Sequence, residues 1–488
     1  MPPSCLATWR EISLLESTLS VLGWDEQVML PPAGQAWRGE QSALLAKLVH
    51  ERLTNPALLE SATAYQAART DDFGRANAKE MLRRIRRAMR IPGRLVEELA
   101  KATSRGIHVW QEARKAGQFS QFLPELEAIV RLKREEADCV GWGETPYDAL
   151  LDEYEPGCTA KEVDRIFSAL GPELSRLIAK APGKTQLPPQ GPYPEEQQKD
   201  LGWKVALAFG FNDQAGRLDV SAHPFCSGHG PGDCRITTRY NVSDFTQSFF
   251  GILHETGHAL YEQGLPTAHA GEPWCVATSL GMHESQSRFW ENLIGRSRAF
   301  WDWCWPSAKE AFSPVLDGYS KTQLLGYINR IEPSYIRVEA DETSYNLHIL
   351  LRYRMEKAMI EGNLKPCDLP GAWNEEFLKS FGLKVTDDRE GCLQDVHWSC
   401  GGIGYFPTYT IGNLLSAQLG EAIQKELGNW SDALARGEFQ PILAWLREKV
   451  HRHGRAKSAL EICKASTGRP LDHLALIRHL EKVAAGAY

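Results

Sequence analysis

Residues 251–264 read GILHETGHALYEQG, and the fold and chemistry of the chain turn on how this stretch is read. His254 and His258 stand four residues apart, with Glu255 directly after the first. On an α-helix, residues four apart lie one above the other, so the two imidazoles can converge on one ion, with Phe250 and Tyr261 on the same stripe. Glu255 is turned about 100° away by the 3.6-residue period. It is poorly placed as a third ligand and well placed to reach a water on that ion. The spacing also suits an amphipathic helix with two hydrogen-bonded core histidines. With 14 histidines in the chain, a short motif needs structural context before it carries chemistry.

The flanking residues supply that context. Ser243 suits an N-cap, Gly264 a C-cap, and Pro266 blocks continuation, so a helix is expected between Ser243 and Gln263. A catalytic zinc takes three protein ligands and keeps one position for water, so the third ligand should come from another element. VATSLGMHESQSRFWENL (276–293) is a second helical pattern with His283 and Glu284 adjacent. Glu284, four after Leu280 and four before Arg288, is the favoured third ligand, and His283 is its competitor. His269, in the intervening loop, reads as a solvated residue.

Further out, helical spacing dominates. WREISLLESTLSVLGW, RGEQSALLAKLVHERL, YNLHILLRYRMEKAMIEG and TIGNLLSAQLGEAIQKELG place apolar residues three and four apart, and the last two end on glycines suited to a left-handed cap. GRLDVSAHPF (216–225) and CRITTRYN (234–241) alternate briefly and are β-branched, which predicts a small β-sheet beside the motif helix. The Pro- and Gly-rich PGKTQLPPQGPYPE (Pro182–Glu195) is the clearest loop. It is expected to link an N-terminal helical layer (about 1–181) to a metal-binding and substrate half (about 195–488) within one domain of 1–488. The fold class is therefore mainly α.

Composition narrows the function classes. A net charge of -7 gives no electrostatic reason for a nucleic-acid partner, and the basic run RRIRRAMR (Arg83–Arg90), broken by Ile85 and Met89, reads as the wet face of a helix. No window approaches the ~20 apolar residues of a membrane span, and the first residues lack a secretory pattern. The 11 cysteines form no C-x-x-C pair, which argues against a disulfide framework or a thiolate zinc knuckle. A reducing cytoplasm is expected. Cys226 and Cys234, flanking a Gly-rich loop, are the one pair whose bridging needs checking.

Taken in order, HPF (His223–Phe225), DCRIT (Asp233–Thr237), HETGH, HESQ (His283–Gln286), IRVEAD (Ile336–Asp341) and GCLQDVHW (Gly391–Trp398) resemble the signature of the M32 metallocarboxypeptidases, the thermostable carboxypeptidase 1 family. LGWDEQVMLPPAGQAWRGEQSALLAKLVHE (22–51) and YDALLDEYEPG (147–157) are similar to it as well, so the resemblance covers nearly the whole chain. The only departure is in the apolar VMLPP segment, away from the metal-site positions. The resemblance implies a helical zincin related to the neurolysin-like peptidases, with a deep active-site groove. It also implies a homodimer, zinc (or cobalt in its place), and release of C-terminal residues one at a time with broad tolerance, proline excepted. His254, His258 and Glu284 would be the ligands and Glu255 the general base.

An exopeptidase must also recognise a free carboxylate, for which arginine's planar fork is best suited. Arg337 is favoured and Arg235 and Arg239 are alternatives, while a structural ion pair of Arg337 with Asp341, one turn on, competes with that role. His397 and Tyr405 or Tyr409 are candidate donors to a developing oxyanion, set against simple packing of an aromatic loop. Asp233 and Asp395 are expected to orient histidines or arginines. Two rivals stay open: an oligopeptidase cutting inside short peptides on the same centre, and a non-enzymatic metal-stabilised helical scaffold.

Overall fold

The helical spacings become helices. A computed structural model describes residues 4–180 and 187–488, and among the described residues twenty α-helices accompany three short strands. Side-chain caps set many of the starts, because the first N–H groups of a helix lack intrahelical partners. Thr159 accepts from the Glu162 N–H, Ser279 from Met282 and Ser297 from Phe300. Gly362 closes the Glu342–Glu361 helix in the left-handed conformation, as its sequence position predicts. Gly428 also has positive φ but extends away at ψ -165.

The first helices, Cys5–Val28 through Asp72–Arg90, enclose a small apolar cluster of Trp9, Ile12, Leu58, Met81 and Ile85. The main core runs continuously from Leu95 to Leu480. Residues after about 90 thus share a core with the second half, well before the Pro182–Glu195 loop. Of that loop, residues 182–186 lie outside the described residues. Residues 187–194 have no regular structure, and a helix begins at Glu195.

The basic run differs from its sequence reading. Ile85 is buried as expected, but Arg83, Arg84 and Arg87 are ion-paired rather than solvated. Arg83 holds Glu80, Arg84 meets Glu16, and Arg87 reaches Glu136 at 2.5 Å. Glu80 lies one turn before Arg83 on the same helix, but Glu16 and Glu136 come from distant elements, which the spacing within one helix cannot reveal.

The sheet is built as anticipated. β1 (Gly216–Val220) pairs parallel with β3 (Cys234–Thr238), and β2 (Cys226–Gly228) pairs antiparallel on the other side, with Cys226 opposite Ile236 and Gly228 opposite Cys234. The central strand β3 lies on the helix bearing the two histidines, through Cys234 and Ile236 against Ile252 and Ala259. Each buried isoleucine there is worth about 1.5–3 kcal/mol, which fixes the helix against the sheet.

Candidate metal centre

The motif helix spans Phe245–Glu262. Its N-cap is Asp244, not Ser243: the Asp244 carboxylate accepts from the Thr246 N–H at 3.0 Å, and its charge suits the helix N-terminus better than a hydroxyl does. Gly264 is not a left-handed cap either, being absent from the positive-φ glycines. A Cβ there would lie 2.3 Å from His451 Nδ1, so this glycine serves close approach.

His254, His258 and Glu284 converge. One ligand atom from each lies within 4.8 Å of the others. Glu284 Oε2 is 3.6 Å from His254 Nε2 and 3.4 Å from His258 Nε2. Glu284 comes from the Leu280–Arg288 helix, capped by Ser279 and by Glu155, whose buried carboxylate accepts from the Gly281 N–H at 2.9 Å. Glycines let these helices meet. A Cβ on Gly257 would sit 2.5 Å from the Gln286 carbonyl oxygen, and one on Gly412, in the Pro407–Leu427 helix, 2.6 Å from Glu284 Cγ. His283, the competing ligand, is engaged elsewhere, with Nε2 2.9 Å from Glu262 and its ring stacked on His258. His269 pairs with Glu272 in a short turn.

The electrostatics suit a cation. Burial works against the Glu284 charge, but Arg288 and His254 outweigh it and hold the carboxyl well below its usual range. Burial lowers His258 to about 3, which leaves a neutral imidazole with a free lone pair. Glu255, on the same helix but outside the three-residue cluster, is buried, and burial pushes it up to about 7. Two imidazole nitrogens and one carboxylate oxygen are the donor set of a zinc-type divalent ion.

Sequence reasoning missed the layer behind these ligands. Glu291 Oε2 lies 2.8 Å from His254 Nδ1, the carboxylate–histidine contact that fixes a ligand's tautomer. It sits in a π-helical turn, Phe289–Ile294, that continues the Glu284 helix, and such turns cluster at functional sites. Arg288 donates to Glu284 at 2.6 Å and to Glu291 at 3.3 Å, and Arg296 donates to Glu291 at 3.1 Å. The signal was present in the sequence: Glu284, Arg288 and Glu291 follow at i, i+4 and i+7.

The substrate candidates separate into two places. Arg235 forms a two-point pair with Asp233 and lies 4.3 Å from the ring of Trp24, between the sheet and the first helix. Arg337 is buried and binds Asp395, not Asp341, with Nε 2.8 Å from Oδ1. Asp341 instead caps the Glu342–Glu361 helix. Arg352, missed from sequence and fully buried, holds the other oxygen of Asp395 at 2.6 Å. Arg337 also donates to the Tyr345 hydroxyl at 3.0 Å, and the Tyr345 ring faces Arg288 at 4.6 Å, so this aromatic joins the arginine to the Glu284 cluster. His397 Nε2 is 3.2 Å from the Tyr409 hydroxyl. Burial, against the pull of Asp395, lowers His397 to about 4. Tyr405 stands 5.2 Å from the His397 ring, and Arg239 reaches only toward the Ala222 carbonyl, on an exposed edge.

An almost wholly helical body with two helix-borne histidines, an adjoining glutamate and a carboxylate from the next helix has the construction of a metallopeptidase. Comparison with known proteins narrows the class. Residues 4–484 match the family described as carboxypeptidase Taq (M32) metallopeptidase, and the chain belongs to this family of metallocarboxypeptidases. It is 42% identical to thermostable carboxypeptidase 1 of Thermus thermophilus, over 98% of this chain and 97% of that one. A solved structure of the Pyrococcus furiosus carboxypeptidase superposes with a TM-score of 0.95 at 38% identity, covering 98% of each chain. The M32 carboxypeptidase of Deinococcus radiodurans also superposes at 0.95, at 35% identity over 99% of this chain and 98% of that one.

Proposed function

We propose that this chain releases amino acids one at a time from the free C-terminus of peptides, with His254, His258 and Glu284 holding a divalent cation and Glu255 as general base. The observation that carries the reading is the convergence of the two Nε2 atoms on one Glu284 oxygen, with a buried acid beside them left over. Zinc suits these donors, with cobalt as the substitute. A divalent cation held by these three residues would supply Lewis-acid chemistry to the scissile carbonyl and the attacking water. Glu255 takes a proton from that water on its carboxylate and delivers it to the leaving amine. His254 is kept with Nδ1–H toward Glu291, so that its Nε2 lone pair faces the cluster.

Arg337 is the proposed anchor for the substrate carboxylate. Two of its N–H groups go to Asp395 and one to Tyr345, which leaves two of a guanidinium's five for a further partner. Tyr409 and His397 are proposed donors to the developing oxyanion, and Arg235 a contact farther along the groove. We read the chain as one peptidase unit acting as a homodimer in a reducing, cytoplasmic setting. Eleven free cysteines and the exposed apolar Leu14, Trp37 and Leu44 of the first two helices, with Met29 at the end of the first, support that reading. No helix among the described residues is long and apolar enough to cross a membrane.

The test pairs a variant with a blocked substrate. Glu255→Gln should keep the metal and lose at least about 10²-fold in kcat, the lower end of what a positioned base supplies. Amidating the peptide's C-terminus should abolish release by the wild type. Cleavage of the amidated peptide would identify an endo-acting oligopeptidase instead, and a fully active Glu255→Gln would refute the assigned base.

A further inference from the structure

The thiols of Cys226 and Cys234 stand 3.7 Å apart across the β2–β3 ladder. The register puts them on one face of the sheet: Cys226 faces Ile236, and Cys234 faces Gly228, two positions along. We infer that this pair is a two-cysteine redox site, bridged by a small-molecule disulfide and reopened by a thiol, whose closing tightens the loop 229–233 beside the C-terminal end of the motif helix.

The geometry gives each strand a distinct part. A disulfide needs its sulfurs at about 2.05 Å, so closure requires a movement of roughly 1.7 Å. β3 cannot supply it, being the central strand, laddered to β1 over five residue pairs and packed on the motif helix through Cys234 and Ile236. β2 can: it is a three-residue edge strand whose last residue opens directly into the glycine-containing turn Gly230–Gly232. Access is equally asymmetric. Cys234 is buried at 4% exposure and Cys226 is half-buried, so Cys226, on the edge strand, is the more accessible of the two.

The chemistry balances as two exchanges. The Cys226 thiolate attacks the small disulfide, forms a mixed disulfide and expels one thiolate. The Cys234 thiolate then attacks the Cys226 sulfur and expels the second. The protein loses two protons and two electrons, and the reagent takes up both to become two thiols. Contact with Cys234 and burial push the Cys226 thiol well above its ordinary range, so exchange should be slow at neutral pH and quicken as pH rises.

Closure has somewhere to act. Asp233, which fixes Arg235, ends the loop. The first helix grips the same loop through Ser17 to the His229 carbonyl and Ser20 to the Gly228 carbonyl at 3.3 Å. Gly228 also abuts Glu262 of the motif helix, since a Cβ there would lie 2.9 Å from its carboxylate. Drawing β2 inward therefore shifts the loop that joins the first helix, Arg235 and the end of the motif helix.

The experiment uses the full-length protein, reduced, desalted and incubated with oxidised glutathione at mildly alkaline pH. Thiols are counted after unfolding, and the bridge is located by non-reducing peptide mass mapping. The expected result is a 226–234 linkage that removes two of the eleven thiols, distinguished by mass from glutathione adducts on the exposed Cys367 and Cys400, and a raised KM that dithiothreitol reverses. Cys226→Ser should show no bridge at Cys234 and an unchanged KM throughout. Retention of all eleven thiols, arrest at a glutathione adduct on Cys226, or a bridge between other cysteines would overturn the site. A fully bridged protein with unaltered KM would overturn its effect on peptide binding.

Discussion

Replacing Glu291 with glutamine isolates the support behind His254, one proposed metal ligand, without touching any of the three proposed ligands. Glu291 accepts from His254 Nδ1 at 2.8 Å, from Arg288 at 3.3 Å and from Arg296 at 3.1 Å. Glutamine keeps the volume but offers one acceptor oxygen to three donors and adds N–H groups of its own. Whichever way the amide turns, a donor loses its partner, and His254 loses the charge that holds its tautomer. Glu284 stays pinned by Arg288 at 2.6 Å, so the third ligand should not move. A hydrogen bond to a charged group is worth about 1.5–3 kcal/mol, which corresponds to the roughly 10–100-fold loss of metal affinity seen when such outer partners are removed. Competition with a chromophoric chelator reads that loss directly, and unfolding of the metal-free protein shows whether the fold survived. Burial opposes the Glu291 charge, but Arg288 and His254 outweigh it and hold the group at about 2, so it is ionised wherever metal binds. Its stabilising contribution is present above the ordinary carboxylate pKa and is lost only as pH falls toward 2. The affinity deficit should accordingly be flat between neutral and mildly alkaline pH. Wild-type metal affinity in a folded Glu291→Gln protein would refute the orienting role.

Three further outcomes follow from the same geometry. Gly257→Ala places a Cβ 2.5 Å from a backbone oxygen of the facing helix; it should cost about 1–3 kcal/mol of stability and weaken metal binding, both measured on one preparation by calorimetry and chelator competition. Arg337→Lys should raise KM for peptides with a free C-terminus by about 10–100-fold, equivalent to the 1.5–3 kcal/mol of a charged hydrogen bond, with kcat less affected; an unchanged KM would move the anchor elsewhere. Burial raises Glu155 to about 7, so the folded state holds a proton that the unfolded state releases near 4.5, and stability must fall as pH rises between those values. Glu155→Gln should remove its own share of that slope, up to about 3 kcal/mol, in denaturant titrations at pH 4.5 and 7.5, the remainder belonging to other raised acids such as Glu255 and Glu356.

What the sequence discloses about this site depends on how far apart its partners lie along the chain. The common face of His254 and His258 was legible because both belong to one helical turn, where spacing alone fixes it. Glu284 was legible because its helix carries its own cap and its own stripe. The helix start slipped by one residue because Ser243 and Asp244 are both good caps, and only the backbone shows which side chain reaches the Thr246 N–H. Gly257 and Gly412 read as nothing more than helix-weakening residues until the facing helix is placed against them.

The substrate side is the harder case. Local reasoning offered Asp341, one turn from Arg337, as its ion-pair partner. The structure gives Asp395 instead, 58 residues away, shared with Arg352, which lies fully buried on a different helix. Two arginines around one aspartate are held by a contact that no periodicity encodes. Burial opposes the Asp395 charge, yet Arg352 and Arg337 hold it far below the ordinary range. A buried charge is costly unless paired and hydrogen-bonded, so moving Asp395 would strand both guanidinium groups, and they therefore lock each other in place. Tyr345 joins this group to Arg288 and so to Glu284. The proposed metal ligands and the proposed carboxylate anchor are thus parts of one continuous polar network. Its local half is readable from motif spacing, and its long-range half becomes visible only once the chain has folded.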